Sequence, residues 1–105
     1  DLSGVLTDAF GALIAFSKIK TLIVAASANN TNDVVIGGAA TFQFINWVGA
    51  VTDTIIIQPN GLFLLHNPTA GGYAVTAGTG DLLKIANSAG GTSVVYDVIV
   101  IGETS

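Results

Sequence analysis

Val94-Val95-Tyr96-Asp97-Val98-Ile99-Val100-Ile101 is apolar at almost every position, odd and even alike, and so is Thr54-Ile55-Ile56-Ile57-Gln58. Successive side chains of a strand point to opposite faces, so a strand with one wet face alternates apolar and polar residues. Runs that do not alternate mark sheet covered on both sides, either within the fold or by a neighbouring subunit. Working outward from these two segments, short strand-like runs fall near 5–8, 13–16, 19–26, 33–37, 41–47, 61–66, 73–76 and 81–86, with the two opening runs as strands at 54–58 and 93–101. Gly, Asn, Pro and Thr separate them at close intervals. This is the pattern of a sandwich or barrel, not of βαβ units, and the expected fold is an all-β antiparallel sandwich, jelly-roll in topology.

The punctuation suggests how the strands connect. In Gln58-Pro59-Asn60-Gly61, proline presets φ at the second turn position, and Asn and Gly accept the later dihedrals. The expectation is a tight hairpin between Ile55-Ile56-Ile57 and Leu62-Phe63-Leu64-Leu65. A looser hairpin is expected at Asn87-Ser88-Ala89-Gly90-Gly91-Thr92, between Leu82-Leu83-Lys84-Ile85 and the C-terminal strand. Alternation then assigns faces. Leu83 and Ile85 share a side while Lys84 points to water, and Phe42 and Phe44 share a side with Gln43, Ile45 and Trp47 opposite. Residues 1–15 read as strand or an extended arm.

At 105 residues the chain is a single domain, 1–105, large enough to remove roughly two-thirds of its unfolded surface from water. Charged residues make up 10% of it, against about 25% in an ordinary globular domain, and its mean hydropathy is +0.70. A surface so poor in ions is either rich in Thr, Ser, Asn and Gly or hidden against other chains. No run of 18 apolar residues occurs, so a membrane-spanning helix is not expected. The net charge is −4, and the cations are Lys18, Lys20 and Lys84 alone. Nucleic acid is therefore not an expected partner, because phosphate binding needs a basic patch. The chain opens on Asp1 and has no methionine, so its first residue is not expected to be the translation start.

The residues that carry chemistry are few and scattered. One histidine and no cysteine do not make a zinc site, and Asp8, Asp33, Asp53, Asp81 and Asp97 lack the clustering of a calcium loop. No metal and no cofactor are expected. His66, before Asn67-Pro68, has no nucleophile or carboxylate in its segment, and reads as a strand-end histidine bonded to a loop carbonyl. Gly78-Thr79-Gly80-Asp81 begins like a dinucleotide fingerprint but lacks its third glycine and the helix that follows. No enzymatic activity is expected. Trp47, Tyr73 and Tyr96, with Asn46 and Gln43, would line a sugar-binding face if they shared one; core or interface packing is the competing assignment.

The segments Phe16-Ser17-Lys18-Ile19-Lys20-Thr21-Leu22-Ile23-Val24, Val35-Ile36-Gly37-Gly38, the Pro-Asn-Gly turn with Leu62-Phe63-Leu64-Leu65, Tyr73 to Asn87, and Val95 to Gly102 follow one another in an order that resembles small virion structural proteins of tailed bacteriophages. The resemblance covers most of the chain from Phe16 onward, in segment order and style, with no diagnostic motif. It implies a β-sandwich or jelly-roll subunit that decorates or cements a capsid, or belongs to a head fibre or the tail. It supplies no catalytic residues. The expectation is a homo-oligomer, assembled in the host bacterial cytoplasm, that docks on the major capsid protein or another virion protein. Phe42, Phe44, Trp47, Val98 and Val100 are the expected contact residues, and the Ala28–Asp33 loop is expected to face solvent or a host surface. A carbohydrate- or receptor-binding module of a fibre or tail tip is the alternative.

Overall fold

The computed structural model describes residues 1–104, and every regular element in it is a β-strand. The strands are β1 (Ser3–Thr7), β2 (Leu13–Ala15), β3 (Lys18–Ala26), β4 (Val34–Gly37), β5 (Thr54–Ile57), β6 (Leu62–His66), β7 (Tyr73–Ala74), β8 (Ile85–Asn87) and β9 (Tyr96–Glu103). Every ladder between them is antiparallel. The chain is all-β and sandwich-like.

β3 is the centre of the larger sheet. β9 runs along one flank from Lys18 to Ala26, and the other flank is shared by β6, opposite Thr21–Ala25, and β7, opposite Lys18 and Ile19. Strict alternation would put Ile19 and Leu22 on opposite faces, yet both are fully buried. The β3–β9 register supplies the reason: Ile19 opposes Gly102 and Thr21 opposes Ile101, so Lys20 is the extra residue of a bulge. The bulge resets the phase and turns Ile19, Leu22, Val24 and Ala26 all inward. A Cβ at Gly102, just opposite, would run into the Lys18 carbonyl oxygen and the Phe16 ring, which fixes glycine there.

The smaller sheet has the order β5–β4–β8. Val34 and Ile36 are fully buried and lie opposite Ile57 and Ile55 on one side and Asn87 and Ile85 on the other. Side chains of both sheets join Leu2, Phe44 and Val75 in one apolar cluster, with Phe16, Trp47, Phe63, Leu83 and Val100 packed around it. Lys84 is exposed between core-packed Leu83 and Ile85, as its alternation indicates.

Several expectations need correction. The Gln58–Gly61 turn forms, with the Gly61 N–H donating to the Gln58 carbonyl at 2.8 Å and Asn60 at φ 67°. It does not make a hairpin, because β5 pairs with β4 and β6 pairs with β3. The chain crosses from one sheet to the other there, and the Ala26 N–H bonding Gly61 and the Asn60 N–H bonding Ser27 guide β6 onto β3. The Asn87–Thr92 loop likewise joins β8 of one sheet to β9 of the other. Residues 41–47 form no strand: Phe42 sits at φ 51°, which ends extended backbone, and the segment keeps one isolated bridge from Gln43 to Leu82. Phe42 is exposed and Phe44 buried, so the two do not share a face.

The Ala28–Asp33 loop is stitched to its neighbours and does not hang free in solvent. Asn30 is buried, and its side-chain amide makes the paired bonds of a strand residue: Nδ2–H donates to the Val95 carbonyl and Oδ1 accepts from the Val95 N–H, both at 2.9 Å. Asn32 Nδ2 donates to Asn87 Oδ1 at 3.0 Å and to the Ala89 and Thr92 carbonyls, while Thr31 and Thr92 hydroxyls meet at 2.6 Å. Asn30→Ala should therefore cost about 1–3 kcal/mol in a urea titration, since two hydrogen bonds are lost and the Val95 N–H is left without its acceptor while the Val95 carbonyl keeps only the Ser27 N–H, whereas exposed Asn29→Ala should change stability by about 0.5 kcal/mol or less.

Candidate interaction surface

With Leu22 and Val24 turned inward, alternation sends Thr21, Ile23 and Ala25 of β3 to the outer face. Their cross-strand neighbours are fixed by register. Leu64, Ile23 and Ile99 form one row, His66, Thr21 and Ile101 the next, and Leu62, Ala25 and Asp97 the third. Side chains directly opposite lie within contact reach across a ladder, so these rows are a continuous surface. It is apolar and uncovered: Leu62 is 66% exposed, Leu64 59%, Ile99 51% and Ile101 55%. The covering within the fold that non-alternating runs allow is thus absent from the outer face of β9. The same holds for β5, where Ile56 is exposed opposite half-buried Val35.

Charge is confined to the margins of this face. Glu103, at the end of β9, takes Lys18 Nζ at 3.1 Å and Lys20 Nζ at 3.6 Å, and Lys20 Nζ also donates to the Thr69 carbonyl. The Lys18 hydrogen bond, reinforced by the charges of both lysines, holds the Glu103 carboxyl below the ordinary glutamate range. Asp97 sits at the opposite margin.

The contact residues expected from sequence are dispersed. Phe44 is in the core. Trp47 is half-buried, edge-on to Phe63 with ring centroids 5.6 Å apart, and its Nε1–H donates to the Phe44 carbonyl at 2.9 Å. Val98 and Val100 lie opposite Val24 and Leu22 on the inner face of β9, with Val100 half-buried; Phe42 is exposed on a separate loop. Of the residues of the open face, Ile99 and Ile101 lie in the non-alternating C-terminal run, while Ile23, Leu62 and Leu64 fall in the strand-like runs at 19–26 and 61–66. Choosing between odd and even positions required knowing which parity the core takes.

A second exposed apolar feature is the β1–β2 hairpin. Asp8 Oδ1 accepts from the Phe10 and Ala12 N–H groups at 2.8 and 3.0 Å, a side-chain-bonded turn that holds Phe10 out in solvent. Leu2 anchors the base of this arm in the core.

The remaining candidates do not converge. His66 Nδ1 lies 2.8 Å from the Thr21 hydroxyl on the open face, in place of the expected loop carbonyl, and no carboxylate of the described residues comes within ion-pair distance of it. Tyr73 neighbours Ile19 and Tyr96 neighbours Ala26, at opposite ends of β3, so with Trp47 against Phe63 the three rings share no platform. An open cavity of about 260 Å³ is lined by Gln43, Ile45, Asn46, Val51, Thr76 and Thr79, with no aromatic ring. Among the described residues no three His, Asp or Glu side chains gather. The chain matches no family model, no curated protein and no solved structure.

Because the folded-state pKa of Glu103 is lowered, its pairing stabilises the fold above the ordinary carboxylate range and is lost as pH falls through the folded value. Glu103→Gln should therefore lower the urea midpoint slightly at neutral pH, and the difference from the parent should vanish in acid and shrink in high salt. A difference that grows in acid would contradict the assignment.

Proposed function

We propose that this chain is a structural subunit of a tailed-bacteriophage particle, of the capsid decoration or minor capsid type, that self-associates and docks on the major capsid protein or another virion protein. The observation that carries the reading is the uncovered aliphatic face of β6, β3 and β9. Ile23, Leu62, Leu64, Ile99 and Ile101 form a continuous surface with charge only at its edges, in a chain with few ions elsewhere. Contiguous apolar patches rimmed by polar groups mark interaction sites. The interfaces of permanent assemblies are more apolar than the surface of a lone domain and bury upwards of about 2,000 Å². The resemblance in segment order to small virion proteins points the same way.

The mechanism is passive. Removing the aliphatic face from water stabilises the particle, and a shell that repeats the same site many times multiplies contacts that are individually weak. No reaction is needed and none is assigned. We extend the sandwich to a jelly-roll-like subunit, a reading supported by the pairing of β3 with the terminal β9 and by the crossings between sheets at 58–61 and 88–95. On this reading the protein resides in the virion after assembly in the bacterial cytoplasm. A glycan- or receptor-binding module is the second reading, favoured by the amides and hydroxyls of Gln43, Asn46, Thr76 and Thr79 around the open cavity.

Light scattering of the purified chain should give multiples of its 10.6 kDa mass. Leu64→Glu, at an exposed position, should shift the mass toward one chain, and at a dilution where the parent is also a single chain its unfolding midpoint should match the parent's. In a density map of the parent particle the domain should recur with its β6–β3–β9 face covered. A parent chain that stays monomeric at millimolar concentration would overturn the reading.

A further inference from the structure

We propose that β9 pairs antiparallel with β9 of a second copy, across a two-fold axis at Ile99, and joins two larger sheets into one. The proposal rests on the reading of the chain as a self-associating subunit and specifies the contact.

The free edge follows from hydrogen-bond parity. The Val95 carbonyl accepts from the Ser27 N–H and the Glu103 carbonyl from the Ser17 N–H, so odd-numbered backbone groups of β9 face β3. The N–H and C=O groups of Tyr96, Val98, Val100 and Gly102 then point the other way, since both groups of a strand residue lie on one side. Among the described residues no backbone or side-chain group bonds to them there. Val98 is a second sign of the opening: its side chain belongs to the inner face, opposite Val24, yet it is 39% exposed because nothing flanks β9.

Natural sheet edges are guarded by shortness, proline, bulges or charge. β9 is eight residues long, has no proline, and carries its ladder's bulge on β3 and not on itself. Its charges are Asp97 and Glu103, and Glu103 is already held by two lysines. β5 and β8, at the edges of the other sheet, have four and three residues, and β6 has five. β9 is thus the long unguarded edge.

The register follows from parity and chemistry. Even-numbered residues must form the hydrogen-bonded pairs. With Val98 opposite the partner's Val100 and Tyr96 opposite the partner's Gly102, the whole span 96–102 is used and about eight new backbone bonds form. Asp97 then faces the partner's Ile101, and Tyr96 lies opposite the partner's Gly102, beside the Phe16 ring that packs over that glycine in each copy. Moving the axis to Val100 keeps the length but sets Asp97 directly against the partner's Glu103. Moving it to Val98 shortens the ladder. With the axis at Ile99, the Leu64–Ile23–Ile99 rows of the two copies run together, and the outward aliphatic surface becomes one strip twice as wide.

The chain has no cysteine, so single-cysteine variants report one contact each. Position 99 meets its own copy as a non-hydrogen-bonded pair, with Cα atoms about 4.5 Å apart, inside disulfide range. Mild oxidation of full-length Ile99→Cys should shift the denatured, unreduced chain from 10.6 kDa to twice that mass, while Ile101→Cys, on the same face but facing the partner's Asp97, should remain a single chain. Ile99→Lys, which sets two ammonium groups together on the axis, should reduce the native mass, with an unfolding midpoint equal to the parent's once both are diluted to single chains. Oligomeric parent protein with no selective cross-link at position 99 would overturn β9 pairing and leave the assembly reading standing. A parent chain monomeric at every concentration would overturn both.

Discussion

The fold depends on β3 having both of its edges and both of its faces committed to different tasks. Its flanks are taken by β9 on one side and β6 with β7 on the other, and its inward side chains, Ile19, Leu22, Val24 and Ala26, run through the middle of the core. The Lys20 bulge reconciles these demands. Without it, Ile19 would turn outward or Leu22 would, and the lysines at 18 and 20 would lose their common reach to Glu103. Gly102 is the local consequence, the one residue that lets β9 pass the Lys18 carbonyl and the Phe16 ring.

Because β3 fixes the inward parity, it also fixes what is left outside. β6 and β9 each have to present apolar residues to the core, through Phe63 and Leu65 and through Val100. Those needs explain every second residue. The intervening Leu62, Leu64, Ile99 and Ile101 are not explained by the fold of one chain. Each would ordinarily be polar, since an outward position makes no demand for apolarity. That half of each strand is intelligible as a surface meant to meet another molecule, and the position of charge at the ends of the rows is consistent with a face kept clear of ions.

Much of the sheet was legible in the sequence: β3, β4, β5, β6 and β9 lie within a few residues of their apolar runs, and Lys84 marks a wet position as its neighbours indicate. Connectivity was harder to read. Pro59-Asn60-Gly61 encodes a reversal of the chain, but the same reversal serves a hairpin or a crossing between sheets, and the choice depends on Ser27 and Ala26, far off in sequence. The apparent alternation of Phe42 and Phe44 failed because a positive φ at Phe42 breaks the period that the pattern assumes. Asn30 was read as loop surface because a polar side chain that imitates a backbone pair leaves no pattern in its own segment; its partner, Val95, is sixty-five positions away. On β9 the open face was visible only as missing alternation, and which parity of that run points outward was settled by the core, which takes Leu22 and Val24 of β3 inward.

The most direct measurement is residue-resolved amide exchange along β9 at low and high protein concentration. Asp97, Ile99 and Ile101, whose N–H groups face β3, should be protected at both, while Tyr96, Val98, Val100 and Gly102 should exchange rapidly in dilute solution and become protected as copies associate. Even-numbered amides already protected in the dilute chain, or unprotected at every concentration, would contradict a sheet whose outer strand is completed by a partner.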